Sequence, residues 1–164
     1  MNVAAQIRLT PADARYRRSE SPLRSDQCGT NRVMEHIITP GLEVFEDRWH
    51  FSHVVAARGL LLLSGVTGTG ADGFISKQPA VQFDQAFVHL RQYLEAAGAS
   101  LGDVIELTSY HVDLRRHLDA FVAAKDRYIT EPYPASSAIG VSDLITEGAL
   151  VEIRAVAADP RARS

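Results

Sequence analysis

Residues 79–112 read PAVQFDQAFVHLRQYLEAAGASLGDVIELTSYHV, and this stretch decides the fold. Phe83, Phe87, Leu90, Leu94 and Ala97 recur at spacings of 4, 3, 4 and 3, which places them on one face of a helix. Gln82, Asp84, Gln85, Arg91, Gln92 and Glu95 take the other face. Pro79 suits the first turn, where a backbone N–H would have no helical partner. Gly98 predicts the stop. Ala99–Asp103 then reads as a short connection, and Val104–Val112, rich in Val, Ile, Thr and Tyr, as a strand.

Working outward, Trp49–Ala57 and Leu60–Ser64 flank the turn signal Arg58-Gly59 and predict a β-hairpin. The run Leu60–Leu63 is apolar throughout, which predicts a strand buried on both faces. Gly65–Gly73, with four glycines and Thr67, Thr69 and Asp72, reads as a loop. Downstream, a second helix is expected over about Arg115–Thr130, with Leu118, Phe121, Val122 and Ile129 inward, ended by Pro132 and Pro134. Ser137–Val141 and Leu150–Ala157 complete the strands; in the latter Val151, Ile153 and Ala155 share one face, Glu152, Arg154 and Val156 the other. The order predicts an α+β layer, a mixed β-sheet with two helices on one face. The other face must be hidden, which predicts self-association.

The chain has 164 residues and a net charge of −3, enough for one domain with its own core. Residues 1–33 hold six arginines and three acids, so they carry +3 and residues 34–164 carry −6. We read 1–33 as a flexible Arg-rich arm or the product of an early start codon, with Met34 the alternative start, and 34–160 as the domain. The lone Cys28 excludes an internal disulfide and sits away from any patterned element. The longest apolar run is far short of the roughly 20 residues of a membrane span, and there is no apolar signal core. These features predict a cytoplasmic protein with no membrane contact. An acidic body predicts no nucleic-acid partner.

Neither a phosphate loop of Walker spacing nor a Gly-x-Ser-x-Gly elbow is present. His50 and His53 lie three apart, but in a strand they would point to opposite faces, so no metal site is expected. His111, beside Tyr110 and Asp113, reads either as a satisfied core histidine or as a proton carrier. Glu152 interrupts an otherwise apolar strand. It is either a proton carrier whose pKa burial would raise, or half of an ion pair with Arg154 on the same face.

Several stretches together resemble the RidA (YjgF) family of enamine/imine deaminases. They are Phe51-Ser52-His53-Val54-Val55, Leu63-Ser64-Gly65, Leu94 through Val104, Thr108 through Leu114, Tyr133 through Ser137, and Leu150-Val151-Glu152-Ile153. The resemblance runs in order from about Glu46 to Ala157. It implies a chorismate-mutase-like subunit, a homotrimer whose sheets close into a barrel core, and clefts between subunits. It also implies cofactor-free hydrolysis of reactive 2-imino acids to 2-keto acids and ammonia. A glutamate, here Glu152, would position water; backbone groups of Ser64-Gly65 would orient the substrate; an arginine would grip its carboxylate.

At that arginine's place in the Pro-Ala-Arg-Ser motif this chain has Ser136. The family's tyrosine is Phe51, the glutamine two residues on is His53, the glutamine after Ser-Gly is Val66, and the asparagine of the second helix is Lys125. Glu152 alone of the charged site residues matches. The resemblance therefore implies a divergent hydrolase using Glu152, with His53 or His111 as auxiliaries, on a less acidic or differently shaped enamine or imine. Two alternatives remain: Arg154 or Lys125 replaces the clamp, or the trimer binds a small ligand without catalysis.

Overall fold

The computed structural model describes residues 34–43, 49–70 and 73–163. The Arg-rich segment 1–33, with Cys28, lies outside the described residues. Seven strands form one sheet: β1 (Glu35–Ile37), β2 (Val54–Ala57), β3 (Leu60–Leu63), β4 (Val66–Thr67), β5 (Val104–His111), β6 (Ala135–Gly140) and β7 (Val151–Ala158). Two helices complete the layer, α1 (Pro79–Ala96) and α2 (Leu114–Tyr128). The strand order is β1-β2-β3-β7-β5-β6, with β4 also on β7. All pairings are antiparallel except β5 with β6, which α2 connects as a parallel crossover. The mixed sheet with two helices matches the sequence expectation.

Apolar spacing explains α1. All five residues of its predicted stripe, Phe83, Phe87, Leu90, Leu94 and Ala97, are buried, and the helix ends at Ala96. Both helices cover the same sheet face. The His111 ring of β5 lies 4.4 Å from Phe121 of α2 and 6.5 Å from Phe83 of α1. Phe87 stacks on Tyr128 at 5.2 Å and joins the helices, with an exposed Arg127–Asp84 pair beside it. The β2–β3 turn has both central residues, Arg58 and Gly59, at positive φ, as a tight hairpin turn requires.

Four expectations are corrected. The strand expected from Trp49 starts only at Val54, because His50 sits at φ +55°, off the extended path. The strand expected to be buried on both faces, β3, is buried on one. Leu61 and Leu63 face the helices while Leu60 and Leu62 are 39% and 40% exposed, since no second layer among the described residues covers them. On α2, Leu118 and Val122 are both 41% exposed; the helix buries only Phe121 and Ala124 against α1, a narrower seam than the spacing predicts. Gln82, expected at the surface, is buried. β1 and β4 were not foreseen, being three and two residues long. No helix among the described residues is long and apolar enough to cross a membrane.

His111 is a core histidine in this subunit, 1% exposed, with its Nε2 2.9 Å from the Ser109 hydroxyl. Burial pushes its pKa down to about 4, so it is neutral at physiological pH. The folded state then binds fewer protons than the unfolded state as pH falls from about 6.5 towards 4. Stability should drop across that window. In His111→Phe the drop should be shallower, as read by denaturant midpoints at a series of pH values.

Candidate active site

The site begins at a break in the sheet. β3 and β4 both run antiparallel to β7, but Leu62 faces Val156 while Val66 faces Ile153. Three residues, Leu63 to Gly65, therefore oppose two, Arg154 and Ala155, which is a β-bulge. The extra residue shifts the alternation, so that Val66 turns into the core and Thr67 comes opposite Glu152. Hydrogen bonds hold the bulge: the Ser64 N–H donates to the His53 carbonyl at 3.0 Å and its hydroxyl donates to the Ser52 carbonyl at 2.7 Å.

Glu152 projects from β7 at this point. A Cβ placed on Gly65 would lie 2.7 Å from the carboxyl carbon of Glu152, so only glycine leaves room for this carboxylate. The carboxylate is half-buried, and burial raises its pKa. Among the described residues no hydrogen bond or ion pair holds it; the pair with Arg154 is not formed, and Arg154 is exposed. Gly65→Ala should push the carboxylate out of place. We expect a fall in kcat of tenfold or more, on the order seen for misplaced catalytic groups, with a melting temperature close to wild type.

Glu152 opens onto a cavity of about 390 Å³. Ser64, Gly65, Val66 and Thr67 form one wall and His89 and Tyr93 of α1 another; Trp49, Phe51 and Leu42 close a third, with Thr69, Ile145 and Thr146 at the loops. His89 is fixed by both nitrogens: Nδ1 donates to the Thr67 carbonyl at 2.9 Å, which leaves Nε2 to accept from Gln85 at 2.9 Å. Burial lowers its pKa, so it is a neutral wall group rather than a spare base. Tyr93 has its pKa raised by burial.

The structure gathers Phe51, Ser64, Gly65, Val66 and Glu152 around one cavity and leaves the other expected site residues elsewhere. His53 is fully buried behind the wall. Its ring stacks on Tyr93 at 4.7 Å and lies 5.6 Å from Phe51, and Nδ1 accepts from the Thr39 N–H at 2.8 Å. It supports the wall without lining it. His111 borders a separate depression with Asp113, Arg115 and Arg116. Lys125 lies on α2 and the exposed Ser136 on β6, opposite Leu107; neither lines the cavity of its own chain. Within one subunit, then, neither Arg154 nor Lys125 reaches Glu152 as a displaced clamp.

Sequence reasoning missed His89 and Tyr93. The signal was present: Gln82, Gln85, His89 and Tyr93 follow at spacings of 3, 4 and 4, a polar stripe beside the apolar one. Leu42, Ile145 and Thr146 come from irregular segments and carry no such signal.

Comparison with known proteins adds an independent line. Residues 44–159 match the family model described as Endoribonuclease L-PSP. The chain is 32% identical over 111 residues to RutC family protein YjgH of Escherichia coli (strain K12), covering 67% of this chain and 83% of that protein. It is 27% identical over 111 residues to a 2-iminobutanoate/2-iminopropanoate deaminase of Dermatophagoides farinae, covering 65% and 83%. A solved structure of protein YjgH superposes with a TM-score of 0.71 at 28% identity, covering 80% of this chain and 98% of that one.

Proposed function

The chain belongs to the Endoribonuclease L-PSP family, which includes the RidA and YjgF proteins, and from that premise we propose that its cavity hydrolyses a reactive imine or enamine, with Glu152 as the proton carrier. One observation carries this reading: a half-buried carboxylate with no partner among the described residues, beside a bulge at the wall of an aromatic cavity. Structural carboxylates in such places are paired or hydrogen-bonded. A deaminase among the relatives supports the same chemistry. Glu152 takes a proton from water as the water oxygen bonds to the C=N carbon. Glu152 hands that proton to nitrogen, giving a carbinolamine, and then carries the hydroxyl proton to nitrogen as the C–N bond breaks, which yields a carbonyl compound and ammonia. No step needs a metal or organic cofactor.

The proposal includes assembly with other copies, as a homotrimer. Leu60 and Leu62 lie exposed on the sheet face opposite the helices, and β6 is exposed along its whole length. A surface of that kind supports burial against a second copy. The test is release of ammonia and carbonyl product from imines generated enzymatically in the assay. Release above the uncatalysed rate is expected; its absence for every imine tried would favour ligand binding without catalysis.

A further inference from the structure

The cavity has a one-sided electrostatic character. Among the described residues that line it none is Lys or Arg, and Glu152 is its only charged side chain. His89 is neutral, with both ring nitrogens engaged. Arg154, two residues along β7 from Glu152, is exposed and forms no part of the lining. Among the described residues of one chain, a ligand carboxylate would therefore meet a half-buried carboxylate with no lining cation between them, an arrangement that low dielectric makes costly. A cation meets the reverse. Glu152 has no partner among the described residues and supplies an opposite charge, and Trp49, Phe51 and Tyr93 supply aromatic surface on which a positive group and an apolar substituent can rest. The volume of about 390 Å³ suits a small ligand with a single ring.

Resting on the imine-hydrolase reading, the geometry points to a substrate class: protonated imines that carry an aromatic or branched aliphatic group and no carboxylate beside the C=N carbon. The protonated form is also the reactive one. Its nitrogen pairs with Glu152, and water adds to its carbon while the proton released passes to the same carboxylate. The carboxylate hands that proton to the nitrogen and takes up the hydroxyl proton as the C–N bond breaks, and the departing ammonia carries that proton away, so that the iminium and one water become a carbonyl compound and ammonium. The Ser136 position fits this class, since a ligand without a carboxylate needs no arginine there.

Trp49 is the only tryptophan of the chain and lines the cavity, so its fluorescence reports occupancy. Phenethylamine, a stable cation of the right shape, is compared with phenylpropanoate, its anionic counterpart, on the full-length protein. Phenethylamine should bind at least about tenfold more tightly, the scale of one cation–aromatic contact plus one ion pair. Glu152→Gln should erase the preference. Ile145→Arg, at a rim position 72% exposed and so tolerant of change, should shift it towards phenylpropanoate. Equal or tighter binding of phenylpropanoate to wild type overturns the inference, as does a preference that survives in Glu152→Gln. The two readings fail separately. Ammonia release that is fastest from 2-imino acids overturns the substrate class and leaves the hydrolase. A clear amine preference with no ammonia release from any imine overturns the hydrolase and leaves the ligand class.

Discussion

Glu152→Gln should lower kcat/KM for imine hydrolysis roughly a hundredfold to ten-thousandfold, the usual worth of a positioned general base. Glutamine keeps the shape of the side chain and the contact with Gly65 but cannot accept a proton from water. The fold should persist, and stability at neutral pH should rise. The sign follows from the raised pKa of the folded-state carboxyl. Between the ordinary glutamate value and the raised one, the folded state binds more protons than the unfolded state, so stability falls as pH rises through that interval. Above it the folded protein carries a charge it would rather lack. The amide removes that cost, and with it the slope. Lost activity together with gained stability marks a residue kept for chemistry; loss of both would make Glu152 a structural group. The readouts are initial rates of ammonia release and denaturant midpoints at several pH values.

Gln82→Ala should be the most destabilising single change, at roughly 3 kcal/mol and a fall in melting temperature on the order of 10 °C. The Gln82 amide is buried in the first turns of α1 and ties three backbone groups together. Its Nε2 donates to the Ser76 carbonyl at 2.7 Å and the Gly148 carbonyl at 3.1 Å, and its Oε1 accepts from the Leu150 N–H at 2.8 Å. Truncation leaves these backbone groups without their partner and opens a void under the segment 142–149. That segment carries Ile145 and Thr146 to the cavity mouth, so KM should rise as well. Thermal unfolding and steady-state kinetics read the two effects. A melting temperature within about 2 °C of wild type would mean that water replaces the amide without loss.

The long elements were legible because their periods were clean. The stripe from Phe83 to Ala97 predicted α1, and the alternation in Leu150–Ala157 predicted both β7 and the outward face of Glu152. Short elements were not. A strand of two residues such as β4 has no period to read, and its place is set by a bulge whose register only the paired strand reveals. Burial of Leu60 and Leu62 could not be assigned either, because an apolar run looks the same whether its second face meets this chain or another. At the site, an acid in an apolar strand pointed to Glu152, and the family resemblance pointed to Ser64 and Gly65. His53 was misplaced by one layer: the strand pattern predicted for Trp49–Ala57 gave it a face, whereas the actual backbone turns at His50 and buries His53 beneath Tyr93. His89 and Tyr93 were passed over because a polar residue on a helix is ordinarily read as solvated.

The pH dependence of kcat/KM tests the central claim most directly, using an imine that keeps one protonation state over the range. A base that must be ionised in the free enzyme gives an acid limb at its own pKa. The predicted profile falls on the acid side through one ionisation above the ordinary glutamate value of 4.5, and that limb is missing from the residual activity of Glu152→Gln. A rate that stays flat down to pH 4.5, or an acid limb that persists unchanged in the variant, would contradict the assignment of Glu152 as the proton carrier.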